Sequence, residues 1–330
     1  MSHVVLTGAS GLLGANLAAL LVESGHTVRA TRRGTSKVAH LAHLPIDWLT
    51  ADLGDTASLE AAFRGAEVVF HCAAQVSIRK AVTPELVRAN VEGTRHVLAA
   101  VRAAGVPRLV YTSTVGAVGL SPDGKPCTEE SRWNFKELGM ADGYVTTKHQ
   151  AELLVQAAAA QGLDVVTVNP CYLFGPYDAK PSSGKLIVDV VRGKAPGHTP
   201  GMNNFVDVRD VARGMLLAWH KGRRGERYIL GGENLTYRDI MHRIAKVAGV
   251  LPPSRDVPRW AARLLGWAGD AHEALTGAEP LLNSVTIGYG YCQTFQFSSD
   301  KAKAELGYAP GPIEPAIADA IQWFRAHGML

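Results

Sequence analysis

Short apolar runs alternate along this chain with longer stretches in which apolar residues recur every three or four positions. His3-Val4-Val5-Leu6-Thr7 reads as a strand, and Leu13, Leu17, Leu20 and Leu21 then mark one face of a helix over 12–23. Glu67-Val68-Val69-Phe70-His71-Cys72-Ala73-Ala74 and Arg108-Leu109-Val110-Tyr111-Thr112 repeat the strand signal, and residues 144–161, rich in Ala, Leu, Glu and Gln, repeat the helical one. Alternation of this kind up to about residue 168 predicts an α/β fold built on a doubly wound parallel sheet.

From about residue 177 the pattern breaks into Pro181, Ser182, Ser183 and Gly184, then Gly193, Pro196, Gly197, Pro200 and Gly201, loop-rich ground of the kind that carries specificity. Helices return near 236–248, where Thr236 and Asp239 resemble a capping box, and near 313–326. The amphipathic stretch from Trp260 to Trp267 is expected in the core of a second, smaller unit or in a pocket lid, with contact to a membrane surface as the alternative. The expected division is a dinucleotide-binding domain over 1–176 and a C-terminal α/β substrate domain over 177–330, the chain crossing back near 205–230.

Composition narrows the function. With 330 residues, 47% of them apolar, the chain can bury a large core, and a net charge of +4 without basic runs argues against nucleic acid as a partner. Four cysteines without CxxC spacing read as reduced thiols of a cytoplasmic protein, and twelve histidines without HxxxH spacing predict no metal site. No stretch has the length of a membrane span or the form of a signal peptide, so stable membrane insertion is not expected.

Two motifs carry chemistry. Gly8-Ala9-Ser10-Gly11-Leu12-Leu13-Gly14 lies where the first strand turns into the first helix. Backbone N–H groups and the positive end of a helix dipole face a diphosphate at such a turn, with Gly8 allowing the bend and Gly14 the close packing of helix on strand. Tyr144 and Lys148 stand at i and i+4 on one helix face. A cation beside a phenol favours the phenolate, each pKa unit being worth about 1.4 kcal/mol, so the pair can move a proton. Upstream, Thr112-Ser113-Thr114 ends a strand, and ligands of parallel sheets bind beyond such ends. Asn90 falls on a helix face shared with Leu86, Thr94 and Val97, and is expected to bond either a structural water or a proton relay. Together the motifs describe a nicotinamide-dependent redox enzyme.

The GxxGxxG spacing and the Tyr-x-x-x-Lys pair resemble the extended short-chain dehydrogenase/reductases. Val28-Arg29-Ala30-Thr31-Arg32-Arg33 and the segment from Gly225 to Asn234 are similar to the dihydroflavonol-4-reductase-like subgroup, which also holds hopanoid-associated epimerase-like and 3-beta-hydroxysteroid dehydrogenase-like proteins. The resemblance implies Thr114, with Ser113 as a stand-in, orienting a substrate carbonyl, Tyr144 as proton donor or acceptor, and Lys148 lowering the Tyr144 pKa while holding the nicotinamide ribose. It implies cofactor contacts from Gly8, Ser10, Gly11, Leu12 and Leu13, from Asp52 and Leu53 at the adenine, and from Ala73, Ala74, Gln75, Thr112, Pro170 and Leu173. Val76, Gly116, Tyr172, Tyr177 and Phe205 are the implied substrate residues.

No acidic residue stands between Ser24 and Ile46 to hold a ribose 2′-hydroxyl, whereas Arg32, Arg33 and Lys37 fall there, so NADPH is expected over NADH. Tyr172 occupies the position where nucleotide-sugar enzymes tend to carry Asn, which points to hydride transfer on a ketone or secondary alcohol of an apolar or aromatic substrate. The alternative is nucleotide-sugar epimerisation or dehydration, with Lys180, Lys185, Arg192, Arg209 and Arg213 as a phosphate clamp. The helices beginning near Pro84 and Tyr144 resemble those of a four-helix dimer interface, with Ala157 to Ala160 allowing close approach, so a homodimer is expected.

Overall fold

Seven parallel strands form the central sheet of the computed structural model, which describes residues 2–121 and 123–330. They are β1 (His3–Thr7), β2 (Thr27–Arg32), β3 (Ile46–Thr50), β4 (Val68–His71), β5 (Arg108–Thr112), β6 (Val165–Pro170) and β9 (Arg227–Leu230), in the order β3-β2-β1-β4-β5-β6-β9. A second sheet orders β10 (Glu233–Thr236), β8 (Met202–Asp207) and β7 (Tyr172–Phe174), with β7 parallel and β10 antiparallel to β8. The helices are α1 (Leu12–Glu23), α2 (Thr56–Phe63), α3 (Pro84–Leu86), α4 (Gly93–Ala103), α5 (Gly143–Ala160), α6 (Lys185–Val191), α7 (Val208–Lys221), α8 (Tyr237–Ala248), α9 (Arg259–Thr276), α10 (Ser284–Gly290), α11 (Asp300–Leu306) and α12 (Glu314–Ala326). A π-helical segment, Val87–Glu92, joins α3 to α4.

The main sheet is covered on both faces, which is why β4 and β6 are buried at every position. One face packs α1 and α7 through Leu13, Leu17, Val211 and Met215; the other packs α2, α4 and α5 through Phe63, Val97, Val101 and Val155. A third core, around Phe174, Phe205, Ile240, Ile317 and Phe324, unites β7 and β8 with α6, α8 and α12. Strand order reverses between β2-β1 and β4-β5, so β1 and β4 leave a crevice at their carboxyl ends, where doubly wound sheets bind ligands. The C-terminal portion shares this framework, since α7 packs on α1 and β9 pairs with β6.

Candidate active site

At the crevice, Gly8 takes φ +76°, and a Cβ there would lie 2.5 Å from the Ala73 nitrogen. A Cβ on Gly14 would meet the Gly8 carbonyl oxygen at 2.2 Å, so this glycine lets α1 sit against the turn. Gly11 differs from both. Its backbone is ordinary extended (φ −88°, ψ 166°), and its Cβ would approach nothing closer than the Gly8 oxygen at 3.5 Å. No protein packing requires glycine there. The position is exposed, and no side chain caps the helix that begins at Leu12, so its first N–H groups open outward. That cradle fits a dinucleotide diphosphate approaching the bare backbone. Beneath it His71 is buried with Nδ1 2.7 Å from Thr7 Oγ1, and burial drops its pKa to about 3, so the imidazole is a neutral tie between β1 and β4.

Across the crevice, Asp142 caps α5 by accepting from the Val145 N–H at 2.7 Å, and the helix presents Tyr144 half-buried and Lys148 fully buried. Lys148 Nζ donates to the Thr112 carbonyl (2.8 Å) and to Tyr111 Oη (3.0 Å). Burial raises the Tyr144 pKa above its usual 10, while the Lys148 charge and the approach of the Thr114 hydroxyl pull it back down. The expected net lowering is therefore reversed in the protein alone, because desolvation of the phenolate outweighs the neighbouring cation. Burial likewise lowers the Lys148 pKa, opposed by Tyr144 and Glu152.

Thr114 is half-exposed, and its Oγ1 accepts from the Gly116 N–H at 3.2 Å, which leaves the hydroxyl proton free to donate. Ser113 is buried with its Oγ unpartnered, so the accessible hydroxyl beside Tyr144 is that of Thr114. Below Thr114 lies a network that motif reading missed. Asn169 Nδ2 donates to the Thr114 carbonyl (2.9 Å) and to Glu152 (2.8 Å), and Glu152 pairs with Arg227 Nη1 at 2.9 Å. The spacing of Tyr144, Lys148 and Glu152 at successive fours was the available signal. Asn90 is buried, and its amide clamps the Gln75 backbone, accepting from N (2.8 Å) and donating to O (3.0 Å), and also donates to Thr147 Oγ1 (3.1 Å).

The other expected cofactor residues border the same crevice. Arg32 at the end of β2 and Arg33 and Lys37 beyond it are exposed, without a carboxylate partner among the described residues, and the Arg32 guanidinium lies 5.9 Å from the Trp48 ring centroid. Asp52 and Leu53 follow β3, where Asp52 Oδ1 accepts from Gly54 N at 2.8 Å. Ala73, Ala74, Gln75 and the 63%-exposed Val76 follow β4. Pro170 is the buried last residue of β6 and Leu173 is half-buried in β7.

Three expected substrate residues are placed otherwise. Phe205 is fully buried among Phe174, Tyr172 and Tyr237, so it is a core residue. Gly116 is buried, its N–H used by Thr114 and its carbonyl by Trp133 Nε1 (3.0 Å); a Cβ would strike Val145. Tyr177, at φ +71°, turns its ring onto His43 and bonds His43 Nε2 at 3.2 Å, toward the β2–β3 connection. Tyr172 is half-buried against Phe174 and Phe205, with its hydroxyl near the Ser183 carbonyl (3.4 Å). Among the described residues no cluster of His, Cys, Asp and Glu could hold a metal.

A hydroxyl donor, a phenol and a buried cation thus face a backbone cradle for a diphosphate. A nicotinamide dinucleotide would supply hydride exchange there, and a hydroxyl, a phenol and an ammonium are groups that can orient an oxygen and move a proton to or from it. The chain matches the NAD dependent epimerase/dehydratase family over residues 4–231. It is 38% identical over 328 residues to a Synechocystis sp. protein assigned as a dihydroflavonol 4-reductase, covering 98% of this chain and 94% of that one. It is 37% identical over 337 residues to sterol demethylase protein B of Methylococcus capsulatus, covering 99% of each. The crystal structure of a nucleoside-diphosphate-sugar epimerase from Pseudomonas aeruginosa superposes with a TM-score of 0.82 at 28% identity, covering 100% of this chain and 99% of that one. The chain therefore belongs to the NAD-dependent epimerase/dehydratase family, in its dihydroflavonol-reductase-like branch, and is a nicotinamide-dependent oxidoreductase acting on a CH–OH/C=O group.

Proposed function

We propose that this protein is an NADPH-dependent reductase of an apolar or aromatic ketone, reversible to the secondary alcohol. Thr114 donates to the carbonyl oxygen, Tyr144 delivers the proton, and Lys148 stabilises the phenolate that remains. The observation that carries the substrate class is the state of the cations that a nucleotide sugar would need. Arg209 is locked by Asp207 (2.7 Å) and Asp319 (2.6 Å), Arg213 lies on Asp210, and Lys185 on Asp189 (2.5 Å). A clamp built on these three would have to give up those pairs, although Lys180 and Arg192 are exposed without a carboxylate partner among the described residues, whereas the half-buried Tyr172 and the exposed Val76 offer apolar surface. The names of two relatives, a dihydroflavonol reductase and a sterol demethylase protein, support such substrates.

Turnover of cyclic and aromatic ketones with NADPH tests the reading, alongside calorimetric titration of nucleoside diphosphates at saturating cofactor. Net NADPH oxidation, no diphosphate binding, and a Tyr144→Phe variant that binds cofactor without turnover are expected. Micromolar diphosphate binding lost in Arg209→Ala, with no net cofactor oxidation, would establish the epimerase reading instead.

The unpaired Arg32, Arg33 and Lys37 support the cofactor preference. Exposed Leu153, Ala157 and Ala160 on α5 support a homodimer through α4 and α5, which sedimentation at micromolar concentration tests. Four free thiols, two of them buried, support a reducing compartment such as the cytoplasm.

A further inference from the structure

Helix α9 is inside out. Its inward side is small and acidic: Ala262 and Gly266 are buried, a Cβ on Gly269 would lie 1.8 Å from the Leu282 carbonyl, and one on Gly266 would press on Ser284 and Ile287 of α10. Asp270 on that side bonds Lys80 Nζ (3.3 Å) and the Ser284 N–H (3.0 Å). Trp260, Leu264, Trp267, Ala271 and Leu275 follow at spacings of four, three, four and four, a stripe about 22 Å long on the opposite side. They are exposed, Trp260 at 69%, Leu264 at 54%, Trp267 at 61% and Leu275 at 86%, with Leu265 and Leu281 beside them. The expectation of a core helix fails on this orientation: close packing by glycine fixes the small face inward, so the large apolar residues face solvent.

We infer that this stripe docks on an anionic lipid surface, α9 lying in the headgroup region. Amphipathic helices that bind there put Trp and Leu on one face with basic residues along its margin. Here Arg255, Arg259 and Arg263 cluster at the start of the stripe, exposed and without a carboxylate partner among the described residues, and no acidic residue lies on the stripe itself. That charge is complementary to anionic headgroups and would repel a second copy of the same face. No helix of the described residues is long and apolar enough to cross a membrane, so α9 lies on the surface. The dock is also tied to the site. Glu279, just past α9, accepts from Ser77 Oγ and the Ile78 N–H, both at 2.7 Å, in the loop that follows Gln75 and Val76. The surface stands without the reductase reading; together they would let a substrate dissolved in the bilayer reach the site through the 76–80 loop.

The test is co-sedimentation of the full chain with vesicles of phosphatidylcholine and phosphatidylglycerol (3:1) and of phosphatidylcholine alone. Wild type should partition onto the anionic vesicles, and the Trp260→Ser/Trp267→Ser double variant at least tenfold less. Each of Arg255→Ser, Arg259→Ser and Arg263→Ser should cost roughly fivefold on anionic vesicles only. These residues are exposed, and unchanged cofactor binding and melting temperature confirm folding in each variant. Partition no stronger than that of the double variant would overturn the inference. So would a double variant that loses self-association in sedimentation velocity while keeping its vesicle binding, since the face would then be a protein interface.

Discussion

Lys148 Nζ stands 3.0 Å from Tyr111 Oη and 4.6 Å from the centre of the Tyr111 ring, although neither residue is near the other in sequence. Burial raises the Tyr111 pKa, so the phenol is neutral, and the nearby Thr94 side chain opposes that shift. Thr94 Oγ1 in turn donates to the Asn90 carbonyl at 2.7 Å, inside the π-helical segment. Lys148 donates to Tyr111, and Thr94 beside it is anchored on a backbone oxygen, so the ammonium is held on the helix face it shares with Tyr144. Tyr111→Phe removes an acceptor from a buried cation, a loss of about 1–3 kcal/mol. We expect kcat to fall tenfold or more with KM nearly unchanged. The alkaline limb of the pH profile should also move, which a merely structural defect would not produce. A variant with wild-type kcat and profile would remove Tyr111 from the mechanism.

The sign of the pH dependence follows from burial. In the proposed mechanism alcohol oxidation needs Tyr144 deprotonated, and burial raises its pKa above the usual 10, with Lys148 the main lowering influence. Oxidation should climb with pH through the alkaline range, whereas ketone reduction, which needs the phenol, should hold through neutrality and fall there. Lys148→Met removes the lowering cation, so the oxidation limb should shift to higher pH and kcat should drop about 100-fold. Rates measured from pH 6 to 10.5 in both directions check this. An unshifted limb would mean that another group titrates.

What could be read from the sequence was local. The glycine turn lies within one strand-to-helix junction and the Tyr144/Lys148 pair within one helix, where period and spacing determine geometry. Tyr111 and Asn169 act across the sheet, and a strand tyrosine within an apolar run carries no mark of the cation its hydroxyl will meet. Nor did the sequence show where Phe205 and Tyr177 point: a β-strand sends alternate side chains to opposite sides, which puts Phe205 in the core, and the positive φ of Tyr177 swings it toward His43. The periodicity of α9 defined two faces without saying which one packs. Gly266 and Gly269 decide that, through contacts with α10 and the segment before it.

Glu152 and Arg227 form a pair whose side chains are 2% and 19% accessible, and Asn169 links it to the Thr114 carbonyl. Arg227→Met strands a buried carboxylate, which should destabilise the fold by about 3–5 kcal/mol. Glu152→Gln/Arg227→Met should recover most of that, because neither member is left charged. Denaturant unfolding of both variants measures it. If the double variant is no more stable than the single one, the hydrogen bonds of Arg227 to the Glu129 carbonyl, and not the charge pair, hold this corner.

The proposed NADPH preference rests on three cations at and beyond the end of β2 that have no carboxylate partner among the described residues. Arg29, lower on the strand, is neutralised by Asp47 at 2.9 Å, whereas Arg32, Arg33 and Lys37 have no such partner. A guanidinium can grip a 2′-phosphate by two charge-assisted hydrogen bonds, each stronger than a neutral one. The Arg33 backbone is steadied where it leaves the strand, its N–H donating to Ser36 Oγ at 3.1 Å, so the side chain projects from an ordered turn. Arg33→Ala should weaken NADPH roughly tenfold or more, corresponding to one charged hydrogen bond of about 1.5–3 kcal/mol, and leave NADH within twofold. The loss should shrink as salt rises, because exposed charges are screened over about 10 Å at 0.1 M. Fluorescence titration of both cofactors at 20 mM and 300 mM salt separates the outcomes. Equal weakening of NADPH and NADH would show that Arg33 supports the adenosine or the turn itself rather than a 2′-phosphate.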